Sequence, residues 1–181
     1  EDVVRPKNRP STYKRHADIV RVHLKPSLGH VRLARLTPAQ VQSLLKSKSS
    51  TPRKNGRTLS PRTVKYIRLI LGSALRHAMR WGYIGINVAA LTDPPRVEQH
   101  QVEALSPDGA RKLLQAIATH RFRNLFICAL ATGARQGELL GTRWRDVDHD
   151  AGTMRIATSL QRIDGEYRLV EPKTQKSRRV V

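Results

Sequence analysis

Residues 131–148 read ATGARQGELLGTRWRDVD, the most specific stretch of this sequence. It follows an apolar run, residues 125–131, which has the composition of a buried helix. The Thr-Gly pair is expected to end that helix, so that Arg135 emerges at the start of the next one in a mostly apolar surround. An arginine there offers a planar fork of donors to a phosphate, and Glu138, one turn on, is placed to hold it.

Two common phosphate-binding motifs are excluded for this stretch. No Gly-Lys-Ser or Gly-Lys-Thr follows the glycines, which excludes a P-loop, and the glycine spacing does not match the dinucleotide-binding fingerprint. The structural alternative is an Arg-Glu pair that only ties a helix together. This alternative stays open on these residues alone.

The charge of the chain indicates a polyanionic partner. The sequence has 34 Lys+Arg against 14 Asp+Glu, a formal net charge of +20. Residues 1–92 hold 19 basic and 3 acidic residues, and the 74 residues between Asp18 and Asp93 contain 14 basic residues and no acid. Double-stranded DNA is the expected partner, because it relieves such self-repulsion. A membrane surface is disfavoured, since aromatic residues make up only 4% of the chain.

Cysteine content and the chain start suggest the compartment. The one cysteine, Cys128, excludes an internal disulfide framework and a multi-cysteine zinc site, and the histidines are scattered. We therefore expect no metal and no cofactor, and a cytoplasmic location. The chain opens on Glu1 without a secretory signal, so we expect a fragment of a longer protein.

The first helix is predicted from a serine and a proline. Ser11 is expected to cap a helix that runs to about Lys25, where Pro26 and Gly29 end it. Its predicted apolar face consists of Tyr13, Ala17, Val20 and Leu24.

Two later helices carry a cap residue followed by proline. Thr37 predicts the start of one, after which residues 46–57 are expected to form a polar loop. Ser60 predicts the start of the longest helix, which runs to about Trp81. The predicted apolar face of this helix consists of Val64, Ile67, Leu71, Leu75 and Ala78.

The same long helix is predicted to carry a cationic face for DNA. At about 100° per residue, five basic side chains fall within an arc of roughly 120° beside the apolar face. Gly72 lies in the middle of this arc, where it is expected to leave the backbone open to an approaching surface. A solvated basic stripe is the alternative. The predicted DNA-binding residues are Arg62, Lys65, Arg68, Arg76 and Arg80.

The second half is predicted to be a separate α+β unit. Residues 93–104 have no periodicity and two prolines, which is typical of an interdomain linker. Helices are expected from Ser106 to about residue 118, at 122–131 and at 136–141. Strands are expected at 153–158 and 167–170, joined around residues 164–165, with a third beginning at 178.

The motif in residues 131–148 resembles the arginine motif of the tyrosine recombinases, the phage integrase family. That pattern is Thr-Gly-x-Arg-x-x-Glu-Leu followed by Trp-x-Asp-Val-Asp. The family also carries a lysine on the hairpin between its second and third strands, and Lys173 stands there in a Pro-Lys-Thr sequence, with Arg178 just beyond. The resemblance implies a SAM-like helical core-binding domain at 1–92, a linker at 93–104, and a truncated α+β catalytic domain with a small antiparallel sheet at 105–181.

The resemblance also implies roles for single residues. Arg135 would bind the scissile phosphate, Lys173 would protonate the leaving 5′ oxygen, and Glu138 would support the arginine. The family needs a His-x-x-Arg box and a nucleophilic tyrosine after the hairpin, and neither follows Lys173 in this sequence. The resemblance implies that the longer parent protein is a site-specific recombinase, which acts in DNA integration for a mobile element and works as a tetramer on DNA. The chain alone is expected to bind DNA, to be inactive, and to be monomeric without DNA.

Two rival functions rest on charge. A non-enzymatic DNA-binding regulator would explain the basic first half, but it gives no reason for Arg135, Glu138 and Lys173 to occur at the family's spacing. An RNA-binding or ribosomal protein would usually expose aromatic side chains for stacking, and aromatic residues are few here.

Overall fold

The computed structural model describes residues 8–52, 56–98, 101, 103–163 and 165–171, and the backbone of 178–180. The chain divides into two compact units, Glu1–His100 and Gln101–Val181. This division falls inside 93–104, the segment predicted to be a linker. The matching of each unit to a recombinase domain stays a prediction.

Every regular element described in the first unit is helical. A π-helical turn, Val20–Leu24, joins the first two α-helices, and 3₁₀ turns cover Leu33–Arg35 and Val88–Leu91. The α-helices of the described residues are α1 (Pro10–Ile19), α2 (Lys25–Leu28), α3 (Pro38–Ser50) and α4 (Pro61–Arg80).

The predicted starts of α3 and α4 are confirmed by their caps. The Thr37 hydroxyl accepts the Gln40 backbone N–H at 3.3 Å, and the Gln40 side chain accepts the Thr37 N–H at 3.0 Å. The Ser60 hydroxyl caps α4 by accepting the Thr63 backbone N–H at 3.3 Å. The predicted loop at 46–57 begins later than expected, because α3 continues to Ser50, whose hydroxyl donates to a carbonyl one turn back.

The prediction for the first helix is wrong at its start and at Pro26, whereas Gly29 ends the helix as predicted. Pro10, not Ser11, is the first helical residue, and the helical path continues through Pro26. Proline lacks an N–H and its ring displaces the carbonyl one turn earlier, which normally breaks an α-helix. Here the Lys25 N–H bonds the Val20 carbonyl, five residues back, so a wider π turn absorbs the proline.

This π turn also shifts the buried face of the helix. Of the predicted apolar face, Leu24 is buried, whereas Ala17 and Val20 are exposed, and Ile19, which was not predicted, is buried instead. A π turn contains one more residue than an α turn, so the inward positions move along the sequence.

The core of the first unit forms where α4 packs on α3 and on the π turn. All five residues predicted for the apolar face of α4 are buried, and Ile70 joins them. This core cluster consists of Ile19, Leu24, Val41, Leu44, Ile67, Ile70, Leu71, Leu75, Val88 and Ala89.

Residues 88–93, the exit segment, are held by side chains from α3 and α4. The Gln42 amide donates to the Asp93 carbonyl at 3.2 Å and accepts the Asp93 N–H at 2.9 Å. The Arg68 guanidinium donates to the Thr92 hydroxyl at 3.0 Å and to the Ala90 carbonyl at 3.2 Å. Both helices therefore fix the path of the chain as it leaves the first unit.

The second unit combines short helices with two small antiparallel sheets. Its α-helices are α5 (Pro107–Ala116), α6 (Arg123–Thr132) and α7 (Gln136–Gly141). Its strands are β1 (Val147–Asp148), β2 (Thr153–Ile156), β3 (Ser159–Ile163), β4 (Glu166–Val170) and β5 (Arg178–Val180). Strand β2 lies between β1 and β5 in one sheet, and β3 pairs with β4 in a separate hairpin.

Two expectations for this unit are corrected. The prediction of one long strand at 153–158 missed β3, which is the true partner of β4. The Thr158 hydroxyl donates to the Gly141 carbonyl at 2.6 Å, so the chain leaves the first sheet there and turns toward α7. Helix α6 contains no buried residue within the described chain, although its apolar composition predicted burial, because α5 and α7 cover only part of its surface.

Membrane-spanning helices and clusters of metal ligands are both absent from the described residues. Within them, no helix is both long and apolar enough to cross a membrane. In that same part of the chain, no three His, Cys, Asp or Glu side chains cluster as metal ligands would.

Candidate functional site

A tight turn between α6 and α7 presents Arg135. Gly133 ends α6 in the left-handed conformation, with φ of 61°, as the Thr-Gly signal predicted. The Thr132 hydroxyl donates to the Cys128 carbonyl at 2.6 Å and accepts the Ala134 N–H at 3.2 Å, which holds the turn from both sides. Arg135 then stands in extended conformation immediately before α7.

Both carboxylate oxygens of Glu138 accept hydrogen bonds from Arg135. Oε2 accepts the Arg135 backbone N–H at 3.0 Å, and Oε1 accepts Nη1 of its guanidinium at 2.8 Å. The Glu138 side chain is 4% exposed, whereas the Arg135 side chain is 63% exposed. A buried carboxylate therefore anchors a guanidinium that largely faces solvent, and the expected apolar surround of Arg135 is wrong.

This geometry leaves the arginine free to bind an anion. A guanidinium carries five N–H donors in a fixed fork, and the Glu138 side chain takes only one end of it. The remaining donors suit the paired oxygens of a phosphate. Because the anchoring carboxylate is buried, the fork is held in place before any ligand arrives.

Helix α7 is positioned by two glycines that were not predicted to have a role. A Cβ at Gly137 would lie 2.7 Å from the Ser159 hydroxyl and 2.9 Å from the Leu160 carbonyl oxygen. A Cβ at Gly141 would lie 2.9 Å from the Leu160 nitrogen. The backbone of β3 thus packs directly on one face of α7, because glycine leaves room there. Their four-residue spacing, which places both on one helix face, was the available signal.

Lys173 lies outside the described residues, between β4 and β5 in the sequence. The role implied for it stays a prediction.

The predicted cationic face of α4 divides into two groups. Arg62, Lys65, Arg76 and Arg80 are exposed. Arg68 is half-buried and bonded to the exit segment. At about 100° per residue Arg68 lies at the edge of the arc nearest the apolar face, which brings its side chain within reach of that segment.

Gly72 was expected to leave the α4 backbone open to an approaching surface, and this expectation is wrong. A Cβ there would point toward Ala89, 3.8 Å away, and the Asn87 amide donates to the Gly72 carbonyl at 2.9 Å. The segment around the Val88–Leu91 turn therefore covers this part of the predicted cationic face.

A ring cluster joins α1 to α4. Tyr66 packs against His16, with ring centroids 6.0 Å apart, and the Arg15 guanidinium lies 4.4 Å from the Tyr66 ring centroid. Burial, and then the positive charge of Arg15, lowers the pKa of His16 below its usual 6.5. Tyr66 thus has a packing role between α1 and α4.

The sequence is similar to those of known integrases and recombinases. The family model for the phage integrase N-terminal SAM-like domain matches residues 1–49. A tyrosine recombinase XerC-like protein of Caldanaerobacter subterraneus subsp. tengcongensis is 26% identical over 196 residues, which cover 99% of this chain and 49% of that protein. The chain is thus similar to a tyrosine recombinase over nearly its whole length. It spans about half the length of this relative.

Solved structures of integrases share the fold. The Tn1549 transposon integrase in complex with a circular intermediate DNA superposes with a TM-score of 0.80 at 20% identity, covering 97% of this chain and 56% of the integrase. A lambda integrase tetramer bound to a Holliday junction gives a TM-score of 0.70 at 20% identity, covering 97% of this chain and 46% of that one. The expected fold class, a SAM-like helical domain followed by α+β structure, is confirmed, with two small sheets rather than one.

Proposed function

We propose that this chain is the DNA-grasping and early catalytic portion of a site-specific tyrosine recombinase. Its parent would break and rejoin DNA strands through a 3′-phosphotyrosine intermediate. The observation that carries the proposal is the Arg135 guanidinium, exposed to solvent and anchored by the buried carboxylate of Glu138. A helix-tying ion pair alone gives no reason for this one-sided exposure.

Arg135 would act on the scissile phosphate. Its free N–H donors bind the non-bridging oxygens, whose negative charge grows as the phosphorus becomes pentacoordinate. Glu138 holds the fork in place, so no reorganisation is needed when the transition state forms. Removing a preorganised donor of this kind typically slows reaction by about 10² to 10³.

Lys173 would supply the proton for the leaving group. The 5′ oxygen leaves as the tyrosine attacks phosphorus, and protonation of that oxygen by the ammonium lowers the barrier. We expect no cleavage by the chain alone, because no tyrosine follows Lys173 among its 181 residues.

The first unit would hold double-stranded DNA. Four exposed cations of α4, within a stretch that lacks acidic residues, form a surface suited to phosphates. Arg68 supports this surface by fixing the exit segment. The four cations are Arg62, Lys65, Arg76 and Arg80.

The parent would assemble as a tetramer on DNA, as the lambda integrase does in its Holliday junction complex. The chain alone is expected to be monomeric without DNA. The cytoplasmic location expected for the parent follows in this proposal from its DNA substrate.

Titration of the chain with duplex DNA at several salt concentrations tests the binding surface. Each phosphate neutralised contributes about 0.9 to the slope of log affinity against log salt. Arg76→Ala and Arg80→Ala should each lower the slope by about 1, whereas Lys112→Ala, an exposed lysine of α5, should leave it unchanged. Affinity that ignores salt, or an equal effect of all three variants, contradicts the assignment.

A further inference from the structure

The C-terminal end of α4 carries a cluster of three rings. His77 and Trp81 have ring centroids 5.9 Å apart, and Trp81 and Tyr83 have centroids 6.2 Å apart. Trp81 is 59% exposed and Tyr83 is 67% exposed. These three residues are called the aromatic end of α4 below.

The backbone holds two of these rings in a fixed relation. The Gly82 N–H bonds the Met79 carbonyl at 3.0 Å, and the Tyr83 N–H bonds the Ala78 carbonyl at 2.9 Å. With Gly82 at φ of 76°, these bonds form a Schellman cap. The Trp81 and Tyr83 rings meet edge to face at 85°. Their exposed faces are thus presented by a rigid helix end and not by a mobile loop.

Positive charge lies beside the rings. Arg76 and Arg80 are exposed on the last two turns of α4, and neither forms an ion pair within the part of the chain that the structure describes. Since no acidic residue occurs between Asp18 and Asp93, nothing nearby in sequence offsets this charge. The chemistry of the patch is therefore a pair of open aromatic faces next to two free guanidinium groups.

We propose that the aromatic end of α4 binds unpaired nucleotides of single-stranded DNA. The bases stack on Trp81 and Tyr83, and the phosphates bind Arg76 and Arg80. A duplex does not satisfy this arrangement, because its bases are already stacked on one another and present only their edges in the grooves. An acidic protein segment would satisfy the guanidinium groups, but it would leave the flat ring faces without a matching surface.

Tryptophan fluorescence tests stacking directly. The chain has two tryptophans, so Trp144→Phe leaves Trp81 as the single emitter. In this background, a short thymidine oligonucleotide should quench emission as it binds, and a duplex of equal length should quench much less. Quenching reports ring contact, which a distant phosphate contact does not produce.

Affinity measurements complete the test. Trp81→Ala and Tyr83→Ala should each weaken single-strand binding roughly 5- to 150-fold, while the ring-preserving Trp81→Phe and Tyr83→Phe should retain most of it. Leu69→Ala, which removes another exposed apolar side chain of α4, should change neither affinity. Circular dichroism melting verifies that each variant is folded.

Several results would overturn the proposal. One is single-strand binding without quenching of Trp81 fluorescence. Another is an equal loss of single-strand and duplex affinity in Trp81→Ala. The third is quenching that depends on protein concentration in the absence of DNA, which would assign the patch to contact with a second copy of the chain. The proposed duplex grip is tested separately. A chain that binds single strands with quenching but no duplex supports this inference and refutes the proposed function.

Discussion

Replacing Arg68 with alanine separates a structural arginine from a DNA-binding one. The substitution removes two hydrogen bonds, one to the Thr92 hydroxyl and one to the Ala90 carbonyl. Hydrogen bonds to charged groups contribute about 1.5 to 3 kcal/mol each when buried, and partial exposure reduces this. We therefore expect Arg68→Ala to lower the free energy of unfolding by about 1.5 to 3 kcal/mol in total. Thr92 is 4% exposed and still donates to a carbonyl, so the loss is not larger.

The matched variant is Arg76→Ala, on an exposed position of the same helix. It should change stability by less than about 0.5 kcal/mol but lower the salt slope of duplex binding by about 1. Arg68→Lys should keep the salt slope but show most of the stability loss expected for Arg68→Ala, because an ammonium cannot reproduce the two-pronged contact. Urea unfolding and duplex titration measure the two effects. If Arg68→Ala is as stable as the unsubstituted chain and lowers the salt slope of duplex binding by about 1, Arg68 binds DNA and its hydrogen bonds to the exit segment do not stabilise the fold.

Further predictions address the second unit and the pH dependence. Gly137→Ala should destabilise the chain in thermal melting, since its methyl group would lie 2.7 Å from a β3 hydroxyl oxygen, whereas Gly85→Ala, with no atom within 4 Å, should not. In the full-length parent, Arg135→Ala should abolish strand cleavage while leaving duplex binding nearly intact; a large loss of binding would contradict the transition-state role. Lys173→Ala should also slow cleavage, and a 5′-phosphorothiolate at the scissile bond, whose leaving group needs no acid, should rescue this variant but not Arg135→Ala. The pKa of His16 is lowered in the folded chain, so the unfolded chain takes up this proton first as the pH falls. The free energy of unfolding should therefore decrease as the pH drops through 6.5, and His16→Gln should reduce this decrease in denaturant titrations at pH values on either side. An unchanged pH dependence in the variant would show that His16 does not cause it.

Local signals in the sequence predicted the starts of α3 and α4 correctly. Thr37 and Ser60 act on N–H groups only three residues away, so their caps follow from short stretches. The turn before Arg135 was likewise predictable, since Gly133 adopts a conformation that other residues avoid.

The errors arose where distant residues decide the outcome. The contact of Arg68 with Thr92 spans 24 positions. The hairpin β3–β4 depends on the fit of β3 against Gly137, a contact between elements that short-range alternation cannot reveal. The exposed Arg135 has the same cause: its anchor was predicted from a spacing of three residues, whereas its exposure depends on which elements pack around the turn.

The exit segment has a mechanical consequence. Four hydrogen bonds connect it to α3 and α4, two through Gln42 and two through Arg68. A force applied to the chain beyond Asp93 would load these bonds together and pass into two helices of the core, instead of peeling the segment away one contact at a time. The exit segment therefore acts as a strap that transmits tension into both helices, and its last bonded residue is Asp93.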